Sequence, residues 1–216
     1  MKRFNVWILG FVAVMGAFFS ACVDINLKSE MPNLDYYKLD NIATNAESCG
    51  AYTMLGLQKL DIPRAMAGKN ILYLNGNVIR NVKGISLNEN LGDELESMII
   101  KNFANHCIKA ITPPFSGIKV EQFLRIKLID FMAVENYEKS DNAELEGAIR
   151  EKIGDAKHIA KVSFMFVLHQ NGVILQSGII TEYSAISDFS GEQIFSALQD
   201  SSKNAIKTLT NKIIPK

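Results

Sequence analysis

The stretch AKVSFMFVLHQNGVILQSGIITEY, from Ala160 to Tyr183, places two long apolar runs on either side of Asn171-Gly172. An Asn-Gly pair between alternating apolar residues is a strong hairpin signal, because both turn positions tolerate a positive φ. A two-residue turn pairs Gln170 with Val173. The pairs further along this register are Leu168–Leu175, Phe164–Ile179 and Ala160–Tyr183 on one face, and Lys161–Glu182 on the other. The stretch therefore predicts a long antiparallel hairpin.

A long helix is predicted directly after this hairpin, from Gly191 to about Ile213. Ser190 and Gln193 have the spacing of a capping box, in which each side chain accepts a hydrogen bond from the other residue's backbone N–H. Apolar residues recur at helical spacing, which predicts a stripe that faces the core: Ile194, Leu198, Ala205, Leu209 and Ile213.

A second main helix is predicted from about Glu89 to His106. Ser86 and Glu89 have capping-box spacing, and Asn88 is the alternative cap. The predicted buried stripe of this helix consists of Leu91, Leu95, Met98, Ile99 and Phe103.

Further strands are predicted before and after this second helix. They span 36–39, 51–62, 71–74, 78–82 and 123–134, with Asn75-Gly76-Asn77 as a turn. In the charged stretch 135–155, Asp141 could cap a short helix that reaches Ile153 and ends at Gly154. We interpret this stretch as a solvated insertion. The expected fold is an α/β (α+β) sandwich, with two main helices on a mostly antiparallel sheet.

The N-terminus has the layout of a secretory signal. Lys2 and Arg3 precede an apolar run, 6–19, that is shorter than the ~20 residues a membrane-spanning helix needs. Phe19-Ser20-Ala21-Cys22 resembles the lipobox of bacterial lipoproteins, which implies cleavage between Ala21 and Cys22 and acylation of Cys22. The alternatives are an ordinary signal with an incidental cysteine and an uncleaved anchor. We expect a signal peptide at 1–21, a lipidated tether at 22–34 and one domain at 35–214.

Charge and cysteine content narrow the function classes further. Removal of residues 1–21 leaves 21 basic against 23 acidic residues, a net charge of −2, which gives no indication of nucleic-acid binding. In an oxidising compartment Cys49 and Cys107 could form a disulfide. Two buried free thiols are the alternative.

Catalytic and cofactor motifs are not found in the sequence. The three histidines, His106, His158 and His169, are scattered without metal-site spacing, and no P-loop or dinucleotide fingerprint is present. We therefore expect neither an enzyme nor a cofactor.

The order of these features resembles the ABC-type transport auxiliary lipoproteins, which accompany lipid-transport systems of the Pqi and Mla type. The resemblance rests on the lipobox, on Tyr36-Tyr37-Lys38-Leu39 and on the strand–turn–strand–helix unit from Val162 to Lys212. It implies a non-catalytic subunit whose partners are an MCE-domain protein and an ABC permease and ATPase. The membrane would be contacted through Cys22, and self-association is left open.

Two other functions remain open at this point: an assembly or pilot lipoprotein, and, disfavoured by the motif search, an envelope hydrolase. In lipoprotein sorting an Asp directly after the cysteine is a signal for inner-membrane retention. Here Val23 holds that position and the aspartate is Asp24, which favours the outer membrane.

Overall fold

A computed structural model describes residues 33–40, 42–43, 49–135 and 143–214, which belong to one compact unit. The described strands are β1 (Asp35–Tyr37), β2 (Thr53–Leu57), β3 (Leu72–Asn75), β4 (Val78–Asn81), β5 (Ile85–Leu87), β6 (Ile108–Ile111), β7 (Gln122–Glu135), β8 (His158–Gln170) and β9 (Val173–Ile186). The described helices are α1 (Leu91–Asn105), α2 (Ala143–Ile153) and α3 (Gly191–Ile213).

Strand β7 organises the main sheet, to which seven of the described strands belong. One side of β7 pairs antiparallel with β8, which pairs antiparallel with β9. The other side pairs in parallel with β2 at its start and with β3 at its end. Strand β6 pairs in parallel with β2, and β1 and β5 form a separate parallel pair. The expectation of a mostly antiparallel sheet is therefore wrong: the fold is α+β with a mixed sheet.

The parallel pairs follow from the connections between the strands. A parallel pair needs a crossover of about a dozen residues or more, and the chain between β2 and β6 supplies one that contains α1. Strands β5 and β6 are three and four residues long, too short to show a period in the sequence. The strand predicted at 51–62 is shorter than expected, and beyond Leu57 only Asp61 makes a bridge, to Lys127.

The hairpin predicted around Asn171-Gly172 is present, but its register changes after two pairs. Gln170 pairs with Val173 as predicted, and Leu168 then pairs with Gln176, because Leu175 is an extra residue in a β-bulge. The remaining predicted pairs are therefore wrong by one residue. In the structure Phe164 pairs with Ile180, Ala160 pairs with Ser184, and Lys161 pairs with Tyr183. Ile180 is consequently buried, and Ile179 points outward with 62% of its surface exposed.

The two main helices pack on one face of the sheet and bury their predicted stripes. Ser190 caps α3 by accepting a hydrogen bond from the N–H of Gln193 at 3.5 Å. In a full capping box the Gln193 side chain would accept a hydrogen bond from the N–H of Ser190. Here it accepts one from the hydroxyl of Ser187 instead. The cap predicted for α1 is wrong: Ser86 lies in β5, and the helix begins after Asn90, whose side chain makes no capping bond.

Helix α2 lies on the opposite face of the sheet. Successive strand residues point to opposite faces, and Ile159 therefore points away from the main core that contains Ala160. Ile149 and Ile153 of α2 are buried against Ile159. The predicted short helix is confirmed and ends at Gly154, with φ of 61°, whereas its predicted cap, Asp141, lies outside the described residues. Its interpretation as a solvated insertion is wrong, because α2 is a third packed helix.

Candidate functional site

A disulfide joins Cys49 to Cys107 across a separation of 58 residues, with the Cα atoms 5.6 Å apart. Cys107 follows the last turn of α1 with φ of 57°, a left-handed conformation that glycine more often supplies at helix ends. Its carbonyl oxygen accepts a hydrogen bond from the N–H of Thr53 at 3.0 Å. The structure thus has the bridged arrangement of the two cysteines, which fixes the chain before β2 to the end of α1.

An open cavity of about 420 Å³ is lined by residues that adjoin this disulfide in the chain. Its apolar walls come from Tyr52 and Met54 around the start of β2, Ile108 of β6 and Ile213 at the end of α3. Tyr52 and Met54 expose 51% and 43% of their surfaces. The volume is within the range of about 300–1,000 Å³ that is typical of ligand pockets.

Polar side chains form part of the rim of this cavity. Lys119 Nζ lies 3.3 Å from Glu121 Oε1, and both side chains are exposed, so the pair adds little to stability. His106 Nδ1 lies 2.8 Å from the carbonyl oxygen of Asn102. An apolar floor with a polar, partly paired rim is the composition of protein interaction surfaces.

The described chain enters the domain far from this cavity. The Tyr37 ring of β1 lies 4.7 Å from the Phe195 ring in the first turns of α3, and Gln199 Nε2 donates to the carbonyl oxygen of Leu39. The cavity is lined by Ile213, at the other end of α3. Because Phe195 and Ile213 are 18 positions apart in α3, they are separated along the helix by about 27 Å at 1.5 Å per residue. The domain therefore has an entry end and a disulfide end.

Buried acidic side chains join the segment after β1 to helix α1. The Asp40 carboxylate accepts hydrogen bonds from Lys101 and Ser97 through Oδ2, and from the N–H of Ile42 through Oδ1. Burial by itself would raise the pKa of Asp40, but these donors together hold it below its ordinary value. Glu94 Oε2 accepts from the N–H of Asp40. Since the Asp40 side chain is fully inaccessible, this cluster is structural.

The other residues singled out from the sequence are not brought together. Ala21 and Cys22 lie outside the described residues. His169 stacks on Phe123, and His158 lies against Phe189. Among the described residues, no group of three or more His, Cys, Asp or Glu side chains could hold a metal ion. Within the same part of the chain, no helix has the length and apolarity needed to cross a membrane.

The fold is shared with proteins of known structure. XCC0632 from Xanthomonas campestris, a DUF330 protein, superposes with a TM-score of 0.61 at 13% identity, over 82% of this chain and 91% of that one. An uncharacterized protein superposes with a TM-score of 0.56 at 11% identity, over 83% and 97% of the two chains. At such identities the likeness establishes the fold alone.

A weaker likeness, to a minor lipoprotein from Acinetobacter baumannii, has a TM-score of 0.39 at 8% identity, over 75% of this chain and 92% of that one. It is too distant to bear on function. No protein-family model matches the chain, and no curated protein sequence does.

Proposed function

We propose that this protein is a lipid-anchored periplasmic lipoprotein that serves as a non-catalytic auxiliary subunit of an ABC/MCE-type phospholipid transport system. The observation that carries the proposal is the separation of the entry end from the exposed apolar cavity at the disulfide end. The lipobox at 19–22 supports the anchor. The fold shared with XCC0632, a DUF330 protein, is compatible with this role and does not by itself indicate it.

The disulfide end provides the surface for the partner, an MCE-domain protein associated with a permease and an ATPase. Tyr52 and Met54 offer partly exposed apolar contacts on a wall fixed by the disulfide. An acylated Cys22, placed in the outer membrane, would raise the local concentration of the domain near its partner. A contact of modest affinity would then be sufficient.

A pull-down from cells that express the full chain tests the surface. Tyr52→Asp places a charge on the cavity wall and should abolish co-purification of the MCE protein. Val78→Asp is the matched control: Val78 is 49% exposed and lies on β4, which is separated by β3 from the end of β7 that is remote from the cavity. Both variants should melt as the wild type does.

Deletion of the gene tests the system as a whole. Loss of the subunit should raise sensitivity to detergent and disturb the phospholipid distribution of the envelope. If the wild-type protein captures no MCE protein and the deletion leaves envelope lipid unchanged, the transport proposal is wrong. The assembly or pilot lipoprotein would then take its place.

A further inference from the structure

Strand β9 forms an edge of the main sheet. Among the described strands it pairs only with β8, so its other side presents unpaired backbone N–H and C=O groups. Towards its end this edge is covered, since Glu182 accepts hydrogen bonds from Lys152 of α2 and Thr208 of α3. The part that no described strand or helix covers is the nine-residue segment from Val173 to Thr181, which we call the open edge.

Apart from the β-bulge at Leu175, the open edge lacks the features that usually protect a sheet edge. Exposed edge strands are commonly short, or carry Lys, Pro or other charged residues that prevent pairing with another chain. The open edge, VILQSGIIT, contains no charged residue and no proline, and three of its apolar side chains are more than 60% exposed: Val173, Ile174 and Ile179. The edge strands β4 and β6, by contrast, have four residues each and contain Arg80 and Lys109.

We propose that the open edge pairs antiparallel with the open edge of a second copy of this chain, about a two-fold axis at Ser177. In this register Ser177 lies opposite its own copy, and Leu175 lies opposite Ile179 of the partner subunit. The outward side chain of Ile179, whose neighbour on β8 is Met165, then gains an apolar contact across the axis. The two sheets become one continuous sheet.

Charge favours a second copy as the occupant of this edge. A two-fold axis repeats each side chain on both sides of the interface, so a charged residue near the axis would face its own charge. The open edge carries none, and the register about Ser177 makes the Leu175–Ile179 contact twice. A charged partner strand would find no complementary charge on this segment.

Cysteine cross-linking of the full chain in its native membranes tests the register. Ser177→Cys places two thiols opposite each other, so mild oxidation should produce a species of twice the mass of the processed chain on a non-reducing gel. Ala185→Cys is the control: it lies eight positions along β9, so the two copies of this residue would be roughly 50 Å apart. A monomeric Ser177→Cys chain, a cross-link to a different protein, or equal cross-linking of Ala185→Cys would each overturn the proposal.

A second measurement separates pairing from folding. Ile179→Lys replaces the apolar contact with Leu175 of the partner subunit by a charged side chain at a 62% exposed position, so it should leave the fold intact and weaken dimerisation of the detergent-solubilised protein at least tenfold in sedimentation equilibrium. Ile79→Lys, at a 52% exposed position of β4, should remain dimeric. A wild-type chain that stays monomeric throughout the titration would refute the interface.

Discussion

Asp40 Oδ2 lies 2.5 Å from Lys101 Nζ, and this ion pair fastens the segment after β1 to helix α1. Replacement of Asp40 by Asn leaves the Lys101 ammonium without its counter-charge and should lower the free energy of unfolding by about 1–3 kcal/mol. Denaturant unfolding at neutral pH measures the loss. Asp200→Asn, which removes an exposed 3.8 Å pair with Lys203, should change stability by less than about 0.5 kcal/mol.

The same carboxylate predicts a pH dependence of stability. Because the pKa of Asp40 is lower in the folded chain than in the unfolded chain, its contribution is fully present above the unfolded value of about 3.9. The contribution is lost as the pH falls through the folded-state value. The difference in stability between wild type and Asp40→Asn in unfolding curves should therefore be constant near neutral pH and should narrow as the pH falls below the unfolded value. A constant gap over this range would contradict the assignment.

Removal of the disulfide should destabilise the domain strongly. In the chain-entropy view, a bridge across 58 residues contributes on the order of 4 kcal/mol. The double variant Cys49→Ser/Cys107→Ser should therefore show a much lower unfolding midpoint than the oxidised wild type. Alkylation of the unreduced, denatured wild type should modify neither cysteine. Quantitative labelling of both would show that the bridge is absent.

Gly56 should not tolerate a side chain. A Cβ atom there would lie 2.5 Å from the Phe123 ring and 3.2 Å from Val120, so Gly56→Ala forces the ring to move. We expect a loss of about 1–3 kcal/mol in chemical denaturation. Gly68→Ala is the control, because its Cβ would meet nothing within 4 Å. Equal stability of the two variants would mean that the ring at Gly56 moves without cost.

Lipidation should depend on Cys22 alone. Cys22→Ser should abolish incorporation of labelled palmitate and leave a precursor of altered gel mobility, since the lipid is linked to the protein through that residue. Cys49→Ser should incorporate label as the wild type does. Unchanged labelling of the Cys22 variant would exclude it as the acylation site.

The local parts of the fold could be predicted from the sequence, and the non-local parts could not. The Asn171-Gly172 turn and the Ser190 cap act within a few residues, so they are visible in the sequence. The bulge at Leu175 is not, because Ile179 and Ile180 are adjacent and either one could satisfy the apolar pattern. The cavity combines Tyr52, Ile108 and Ile213, and Asp40 meets Lys101 from far along the chain. The sequence gives no local signal of the cavity, because the exposure of Tyr52 and Met54 depends on which strands pair with β2.

The cavity wall is supported by a disulfide, and whether that disulfide forms depends on the redox conditions of the cell compartment. Before export the thiols of Cys49 and Cys107 would be kept reduced, and the wall at Tyr52 would be held by the backbone pairing of β2 with β6 and β7, without the covalent link. Oxidation after translocation would then complete it. Under the proposed function, a newly made copy would thus acquire its finished docking end only in the oxidising compartment of the proposed partner, and premature association in the cytoplasm would be disfavoured.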